Sequence, residues 1–188
     1  MKLRNHGIFV SFGVAAILCA GIARAADKAG SSQTAEVLGK LHQSNQMEVA
    51  AGKLAEEKGQ AKDVKSFGKT LVTDHTAADK KVMALAKEEK IDLPAMPPMP
   101  MEKMDKMKSA SGAAFDKMFA SDMLEDHKKD VAEAKAARDS TNDPKLKALL
   151  KSTIPVLEKH QEIAQKLVDK LGPSASATGA NVVPTSTK

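Results

Sequence analysis

Between Gln33 and Leu171 the sequence consists almost entirely of helix-forming residues, chiefly Ala, Lys, Glu, Leu and Met. No window shows the sustained period-two alternation of β-branched residues that is typical of a strand. Turn-forming residues divide the stretch into four long segments of similar length. They predict helices over about residues 32–58, 61–90, 111–138 and 143–171. We therefore expect an all-α protein, a four-helix bundle with a long Pro/Met-rich connection between its second and third helices.

The helix boundaries are marked by residues with known preferences. Gly59 is a typical residue just after a helix, and the Leu93-Pro94 step ends the second segment. Asp143-Pro144 is a strong start for the fourth, with an N-cap followed by proline at the first position. Pro155 lies inside that helix and predicts a kink or a break. The first and second helices, and the third and fourth, are joined by short links and should form hairpins. The long link could cross the bundle or fold back locally.

The N-terminal residues read as a secretory signal. Lys2 and Arg4 precede an apolar run, and Ala23-Arg24-Ala25 supplies a small-x-small cleavage site. We predict a signal peptide over residues 1–25, cleavage after Ala25, and a periplasmic or otherwise exported chain. A flexible segment over 26–32 would follow, then the bundle over 33–171. The small, polar residues of 172–188 predict a disordered tail.

The mature chain differs in charge and chemistry from the full one. Removing the signal takes away three basic residues and no acid, so the formal charge falls from +5 to about +2. With no Trp or Tyr, and with basic residues alternating with acids, nucleic acid is not an expected partner. The single cysteine, Cys19, lies inside the signal, so we expect neither disulfides nor thiol catalysis. The mature chain contains no predicted transmembrane segment, and contact with an envelope protein or a membrane surface remains open.

Each predicted helix carries one polar residue that could ligate a metal on its apolar face. In the second helix His75 stands where the next apolar residue is due, and His160 does so in the fourth. The third has His127 inside its apolar arc, and the first has Glu48 on its face. All four lie near the middle of their helices, and mid-helix positions stay level whichever way a neighbour runs. The sequence therefore predicts that Glu48, His75, His127 and His160 meet in one layer of the core.

Three interpretations of this layer remain open. Neutral imidazoles with a carboxylate suit Zn, Cu, Fe or Ni, which predicts a metal site with His75, His127, His160 and Glu48 as ligands. Candidates for ligands or outer hydrogen-bond acceptors are the nearby acids Asp74, Asp126 and Asp130. Alternatively, the four side chains form a polar layer that fixes the register of the bundle, because buried polar groups need partners. In the third interpretation, some of them reach water at the edge.

The stretch PAMPPMPMEKMDKMK contains five methionines and forms a second candidate site. Met104 and Met107 keep a helical step, which predicts a short helix that packs on the bundle. Met96, Met99 and Met101 lie among prolines, and their thioethers are ligands that suit Cu(I). They are secondary candidates for soft-metal binding.

A resemblance to a known family covers about Gln33 to Leu171. It is carried by EVAAGKLAEEKG, VKSFGKTLVTDHTAADKKVMALAKEEKIDLP, SGAAFDKMFASDMLEDHKKDV and DPKLKALLKSTIPVLEKH. These segments resemble the exported bacterial family catalogued as domain of unknown function 4142, often labelled a predicted outer-membrane or periplasmic protein. The resemblance implies a ferritin-like fold and an envelope location. It implies no activity, because the family has none that can be carried over.

The sequence departs from the ligand pattern of di-iron ferritin-like proteins. Those proteins use Glu-x-x-His on two helices, whereas Val72, Leu124 and Leu157 stand three residues before the histidines here. A di-iron cofactor is therefore not expected, and a bound metal would be a single Zn or Cu ion. Two functions remain open. One is a non-catalytic exported bundle that acts in envelope maintenance or stress tolerance; the other is a periplasmic Zn- or Cu-binding protein.

Overall fold

The computed structural model describes residues 19–93 and 101–172, and within these ranges the chain forms helices and no strand. This confirms the prediction of an all-α bundle. The helices are α1 (Cys19–Lys58), α2 (Lys62–Glu88), α3 (Met101–Ser109), α4 (Gly112–Ser140) and α5 (Pro144–Leu171). None of the described helices is both long enough and apolar enough to span a membrane.

The four long helices form two antiparallel hairpins, α1–α2 and α4–α5. In the first hairpin, His42 of α1 contacts Asp79 of α2. Asn45, which follows His42 by three residues in α1, contacts His75, which precedes Asp79 by four residues in α2. Partner numbers therefore fall in α2 as they rise in α1. The short links that the sequence predicted between these helices are confirmed.

The hairpins pack side by side, and ion pairs show their direction. Lys145 at the start of α5 pairs with Glu88 at the end of α2, at 2.9 Å. Lys170 at the end of α5 pairs with Asp63 at the start of α2, at 2.5 Å. Helices α2 and α5 are therefore antiparallel.

Helices α1 and α4 are antiparallel by the same reasoning. Gln33 of α1 donates to Ser140 at the end of α4 at 3.0 Å, and Lys58 at the end of α1 donates to the carbonyl of Ala110, just before α4. Because α1 is also antiparallel to α2, helices α2 and α4 are parallel. The end of α2 and the start of α4 therefore lie at opposite ends of the bundle, a distance of about 40 Å for the 27 residues of α2. This is one of the two arrangements that the sequence left open.

Helices α1 and α2 approach each other closely at Gly52 and Gly68. A Cβ atom added to Gly52 would lie 2.6 Å from the carbonyl oxygen of Gly68, and one added to Gly68 would lie 2.6 Å from that of Gly52. Both contacts involve backbone, which cannot rotate away. These two glycines therefore allow α1 and α2 to lie close together. Gly52 is one helical turn from Glu48, and Gly68 is one turn from Leu71.

A buried carboxylate on α4 completes the start of α2. Ala61 at the N-cap position has no side chain that could accept a hydrogen bond. Asp116 accepts from the backbone N–H groups of Gln60 and Ala61 at 2.9 and 2.7 Å, and it is buried. One hairpin thus caps a helix of the other.

Three details differ from the sequence predictions. Helix α1 begins at Cys19, not near Ser32, and so includes residues 26–32, for which a flexible segment was predicted. Helix α5 continues through Pro155 instead of breaking there, because Pro155 lies on the exposed face, where the carbonyl of Lys151 can bond to water. The apolar rhythm of the sequence predicts Leu149 and Thr153 on the inner face of α5, whereas the structure buries Leu150 and Ile154, each one position later.

The apolar core is divided into two clusters by a polar layer. The cluster nearest the α1–α2 link is built around Phe67, Phe115 and Phe119. The other, at the opposite end, contains Leu38, Leu146 and other aliphatic residues. Met107 of α3 is 2 % exposed and belongs to the first cluster, which confirms the predicted short packing helix.

We expect Asp116→Ala to lower the free energy of unfolding by about 3 kcal/mol, because it removes two hydrogen bonds to a buried charge. Urea denaturation followed by circular dichroism measures the change. Asp105→Ala, at an exposed position of α3, is the control and should change stability by less than about 0.5 kcal/mol. Equal stability of the two variants would contradict the capping role.

Candidate metal centre

The polar layer brings together His75 of α2, His127 of α4 and His160 of α5. One ring nitrogen from each lies within 4.8 Å of the other two. The ring centroids are 5.2 to 5.7 Å apart. The side chains are only 0 to 2 % exposed. Three histidines that are far apart in sequence therefore form one buried cluster.

In each ring, the nitrogen that faces away from the other two rings, here called the outer nitrogen, donates a hydrogen bond to the protein. The Nδ1 of His75 contacts Oδ1 of Asn45 at 2.9 Å, and Nδ1 of His127 contacts the carbonyl of Met123 at 2.9 Å. The Nε2 of His160 contacts the carboxylate of Asp74 at 2.9 Å. All three partner oxygens are acceptors, so each of these ring nitrogens carries the proton.

The second nitrogen of each ring, here called the inner nitrogen, consequently presents a lone pair when the ring is neutral. The Nε2 of His127 and Nδ1 of His160 face each other at 3.3 Å without a proton between them. The Nε2 of His75 is buried and has no hydrogen-bond partner among the described residues. The layer thus contains a group of acceptors without a donor, which a cation would satisfy.

The protonation states follow from the burial of the rings. Burial, together with the rings of His160 and His127, lowers the pKa of His75 to about 3. Burial lowers the pKa of His127 to about 4, against the opposing effect of its bond to Met123. Burial also lowers the pKa of His160, although Asp74 acts in the opposite direction. At neutral pH all three rings are therefore in the form that binds metals.

The fold holds the rings from several sides. Phe67, two turns before His75 on α2, packs against His127 and His160 with ring centroids 6.4 and 6.0 Å apart. The close approach of α1 and α2 at Gly52 and Gly68 positions Asn45 against His75. Apolar packing on one side and outer hydrogen bonds on the other thus fix the orientation of the rings.

Glu48 lies in the same layer, but outside the ring cluster. It is 4 % exposed, and its Oε1 is 3.7 Å from Nδ1 of His127, which is the outer nitrogen of that ring. The group whose ligand atoms converge consists of the three histidines. Glu48 therefore contacts the side of His127 that faces away from the inner nitrogens.

The predicted outer acids occupy different places. Asp74 contacts His160 directly. Asp126 and Asp130 line a groove of about 390 Å³ between α1 and α4, together with Glu48. The charge of Asp126 acts to raise the pKa of His127. Asp130 accepts a hydrogen bond from Ser44 at 2.6 Å, and burial raises the pKa of its carboxyl group.

The methionine candidates are not brought to this site by any described contact. Met96 and Met99 lie outside the described residues, and Met101 is the first residue of α3. Soft-metal binding there stays a prediction.

Two buried polar residues near the layer were not recognised from the sequence. Asn45 lies three residues before Glu48 on α1, and its side chain bonds to His75. His42 is also buried and donates from Nδ1 to Asp79 at 2.7 Å, while Gln46 donates to its Nε2. The signal for His42 was its position three residues before Asn45, on the same helix face.

These features define an all-α bundle with a buried histidine triad at mid-length. The chain belongs to the family described as Domain of unknown function (DUF4142), whose model matches residues 20–167. The resemblance seen in the sequence is confirmed in that respect, while the ferritin-like relationship and the envelope location stay predictions. No curated protein and no solved structure matches the chain.

We expect the metal-free protein to lose stability as the pH falls from about 6.5 towards 4. In the unfolded chain histidine has a pKa of about 6.5. Below that pH the unfolded chain therefore binds protons that the buried rings of the folded protein do not bind, which favours unfolding. Each affected ring should reduce the free energy of unfolding by about 1.4 kcal/mol per pH unit. Stability should be independent of these rings above pH 7.

Urea denaturation in the presence of a chelator, at intervals between pH 7 and pH 5, measures this dependence. His75→Gln removes one titrating ring and should reduce the slope by roughly a third, since three rings contribute. Asp130, whose pKa is raised, acts in the opposite direction and remains in both proteins. A stability that is constant from pH 7 to pH 5 would show that the rings are not buried in neutral form.

Proposed function

We propose that this protein binds one transition-metal ion, Zn or Cu, through the inner ring nitrogens of His75, His127 and His160. The observation that supports this most directly is the convergence of three lone pairs whose opposite ring nitrogens are all held by hydrogen bonds. Histidines that ligate a metal characteristically donate their other N–H to a carboxylate, a backbone carbonyl or water. Two of the three rings have such a partner, and Asn45 provides an amide oxygen for the third.

The spacing of the nitrogens is compatible with one ion. Two nitrogens that bind Zn at 2.0–2.1 Å with tetrahedral angles are about 3.4 Å apart. The pair between His127 and His160 is at 3.3 Å. The remaining separations are at most 4.8 Å, so His75 would need to move inwards by roughly 1.4 Å or less.

A polar layer that only fixes helix register is the main competing explanation. Such a layer is stabilising when every buried polar group has a partner, because an unsatisfied one costs about 1–3 kcal/mol. Here the inner nitrogens are left as acceptors without donors. This arrangement is a liability for a purely structural layer and an advantage for a cation site.

We propose binding and buffering of the metal as the activity, in place of catalysis. Three histidines leave the fourth position of a tetrahedral ion without a protein ligand, but a catalytic ion must also be reached by its substrate. The three side chains are 0 to 2 % exposed, which leaves little room for substrate contact. A metal buffer of this kind would be compatible with the envelope maintenance or stress tolerance that the sequence left open.

Isothermal titration of Zn²⁺ into purified, untagged, chelator-treated protein should give one ion per chain. His75→Gln and His160→Gln should each reduce affinity by more than the tenfold to hundredfold that is typical of outer partners. His42→Gln, a buried histidine outside the triad, is the matched control and should bind as the unchanged protein does. If His42→Gln and His75→Gln bind equally, the triad is not the site.

We further propose that the chain is exported, because residues 1–25 carry the basic start, apolar run and small-x-small step of a secretory signal. Expression in a Gram-negative host should yield periplasmic protein whose intact mass, measured by mass spectrometry, corresponds to a chain that starts at Ala26. Ala25→Leu, which disrupts the small-x-small step, should retain the N-terminal residues. Full-length chain in the cytosol, in both cases, would contradict export.

A further inference from the structure

The outer partners of the three rings differ in the hydrogen bonds that they can form. His127 bonds to a backbone carbonyl, and His160 bonds to the carboxylate of Asp74. A carbonyl and a carboxylate only accept hydrogen bonds, so the outer nitrogens of these two rings carry the proton. Asn45, the partner of His75, is different, because its amide has an accepting oxygen at one end and a donating NH₂ group at the other.

The two ends of the Asn45 side chain also have nearly the same shape. A half-turn of the amide exchanges its oxygen and its nitrogen and leaves the outline of the side chain unchanged. Asn45 is 5 % exposed and lines a recess of about 210 Å³ between α1 and α2, where the end of the amide that faces away from His75 can bond to water. Both orientations of the amide are therefore compatible with the packing around it.

Each orientation of the amide selects one neutral form of His75. With the oxygen of Asn45 towards the ring, as in the structure, Nδ1 carries the proton at 2.9 Å and the inner Nε2 presents a lone pair. With the NH₂ group towards the ring, Nδ1 accepts a hydrogen bond and Nε2 carries the proton. The ring is neutral in both forms, because they differ only in which nitrogen is protonated.

The surroundings of Nε2 favour a different form of His75 with and without a metal. The inner nitrogens of His127 and His160 present lone pairs and lie within 4.8 Å of that of His75. Without a metal, an N–H of His75 provides the one donor that this buried group lacks. Its attraction to the lone pairs is electrostatic at the longer distances and becomes a hydrogen bond if the ring moves inwards. With a metal, Nε2 has to present its own lone pair to the ion.

We propose that Asn45 is a positioning residue that switches His75 between a metal-free and a metal-binding form by turning its side-chain amide. In the metal-free protein the NH₂ group faces His75, and Nε2 of the ring is protonated. When a metal binds, the amide turns, Nε2 releases its proton to water, Nδ1 takes up a proton from water, and the lone pair of Nε2 bonds to the ion. The number of protons on the ring is unchanged. This inference rests on the proposed metal binding and adds the step that makes the third ligand available.

Long-range proton–nitrogen correlation NMR of isotope-labelled protein measures which nitrogen of each ring is protonated, with His75→Gln to assign the signals. In chelator-treated protein at pH 7 we expect the proton of His75 on Nε2, and with Zn²⁺ bound we expect it on Nδ1. His127 should keep its proton on Nδ1 and His160 on Nε2 in both states, because their outer partners only accept. A proton of His75 on Nδ1 in both states would overturn the switch.

Two substitutions of Asn45 fix the ring in one form or the other. Asn45→Asp provides only acceptors, so the proton of His75 should stay on Nδ1 with and without Zn²⁺. Zn²⁺ should then bind roughly tenfold more tightly, since no change of form opposes binding. Asn45→Leu has a similar size and no polar atom. It should leave the proton on Nε2 in the metal-free protein and weaken Zn²⁺ binding by about tenfold to a hundredfold.

Gln46→Glu is the matched control, because it also converts an amide to a carboxylate on α1 but at a side chain that bonds to His42, outside the triad. It should change neither the proton positions in the triad nor the Zn²⁺ affinity. If Asn45→Asp does not fold, the spectra of the unchanged protein decide alone.

The possible failures of the two proposals are distinguishable. Equal Zn²⁺ affinities of the unchanged protein, Asn45→Asp and Asn45→Leu would overturn the positioning role while leaving metal binding intact. An unchanged protein that does not bind Zn²⁺ would instead overturn the proposed function itself.

Discussion

The structure depends on the burial of imidazole rings in the middle of an otherwise apolar bundle. His75, His127 and His160 come from three helices, and Asn45 and Glu48 of α1 complete the same cross-section. Polar groups at this depth are tolerated only with partners at hydrogen-bond distance. Sliding one helix by a single turn, about 5.4 Å, would separate these partners and place polar atoms against the aliphatic clusters. We therefore expect the layer to favour one register of the four long helices, with the two apolar clusters on either side of it.

The outer nitrogens of the three rings have hydrogen-bond partners, whereas the inner nitrogens have no donor facing them. Every outer nitrogen has an acceptor, so the orientation of each ring is determined before any ligand arrives. The inner nitrogens present lone pairs, and that of His75 has no hydrogen-bond partner among the described residues. Local conflicts of this kind in natural proteins are typical of functional sites, where the rest of the fold compensates for them. The many well-packed residues around Phe67 and Phe119 provide that compensation here.

Much of this architecture could be predicted from the sequence, and the exceptions have physical causes. Helix boundaries at Gly59 and Asp143 were accurate because their residues have strong local preferences. The meeting of the histidines could be predicted because each interrupts an apolar rhythm at mid-helix. The partners could not, because hydrogen bonds such as that between Asn45 and His75 depend on tertiary distances of tenths of an ångström. The same holds for Asp116, whose cap on α2 joins residues 55 positions apart. The direction of the link between α2 and α4 could not be predicted either, since a long link is compatible with parallel or antiparallel neighbours.

The distribution of the three proposed ligands between the two hairpins has a consequence for assembly. The α1–α2 hairpin contributes one histidine of the triad, and the α4–α5 hairpin contributes two. Neither half contains a complete set, so full coordination requires that the halves be docked. By thermodynamic linkage, an ion that binds only the docked form adds its binding free energy to the association of the halves. The ion would then stabilise the association of the two hairpins, and the occupancy of the site would report whether they are docked.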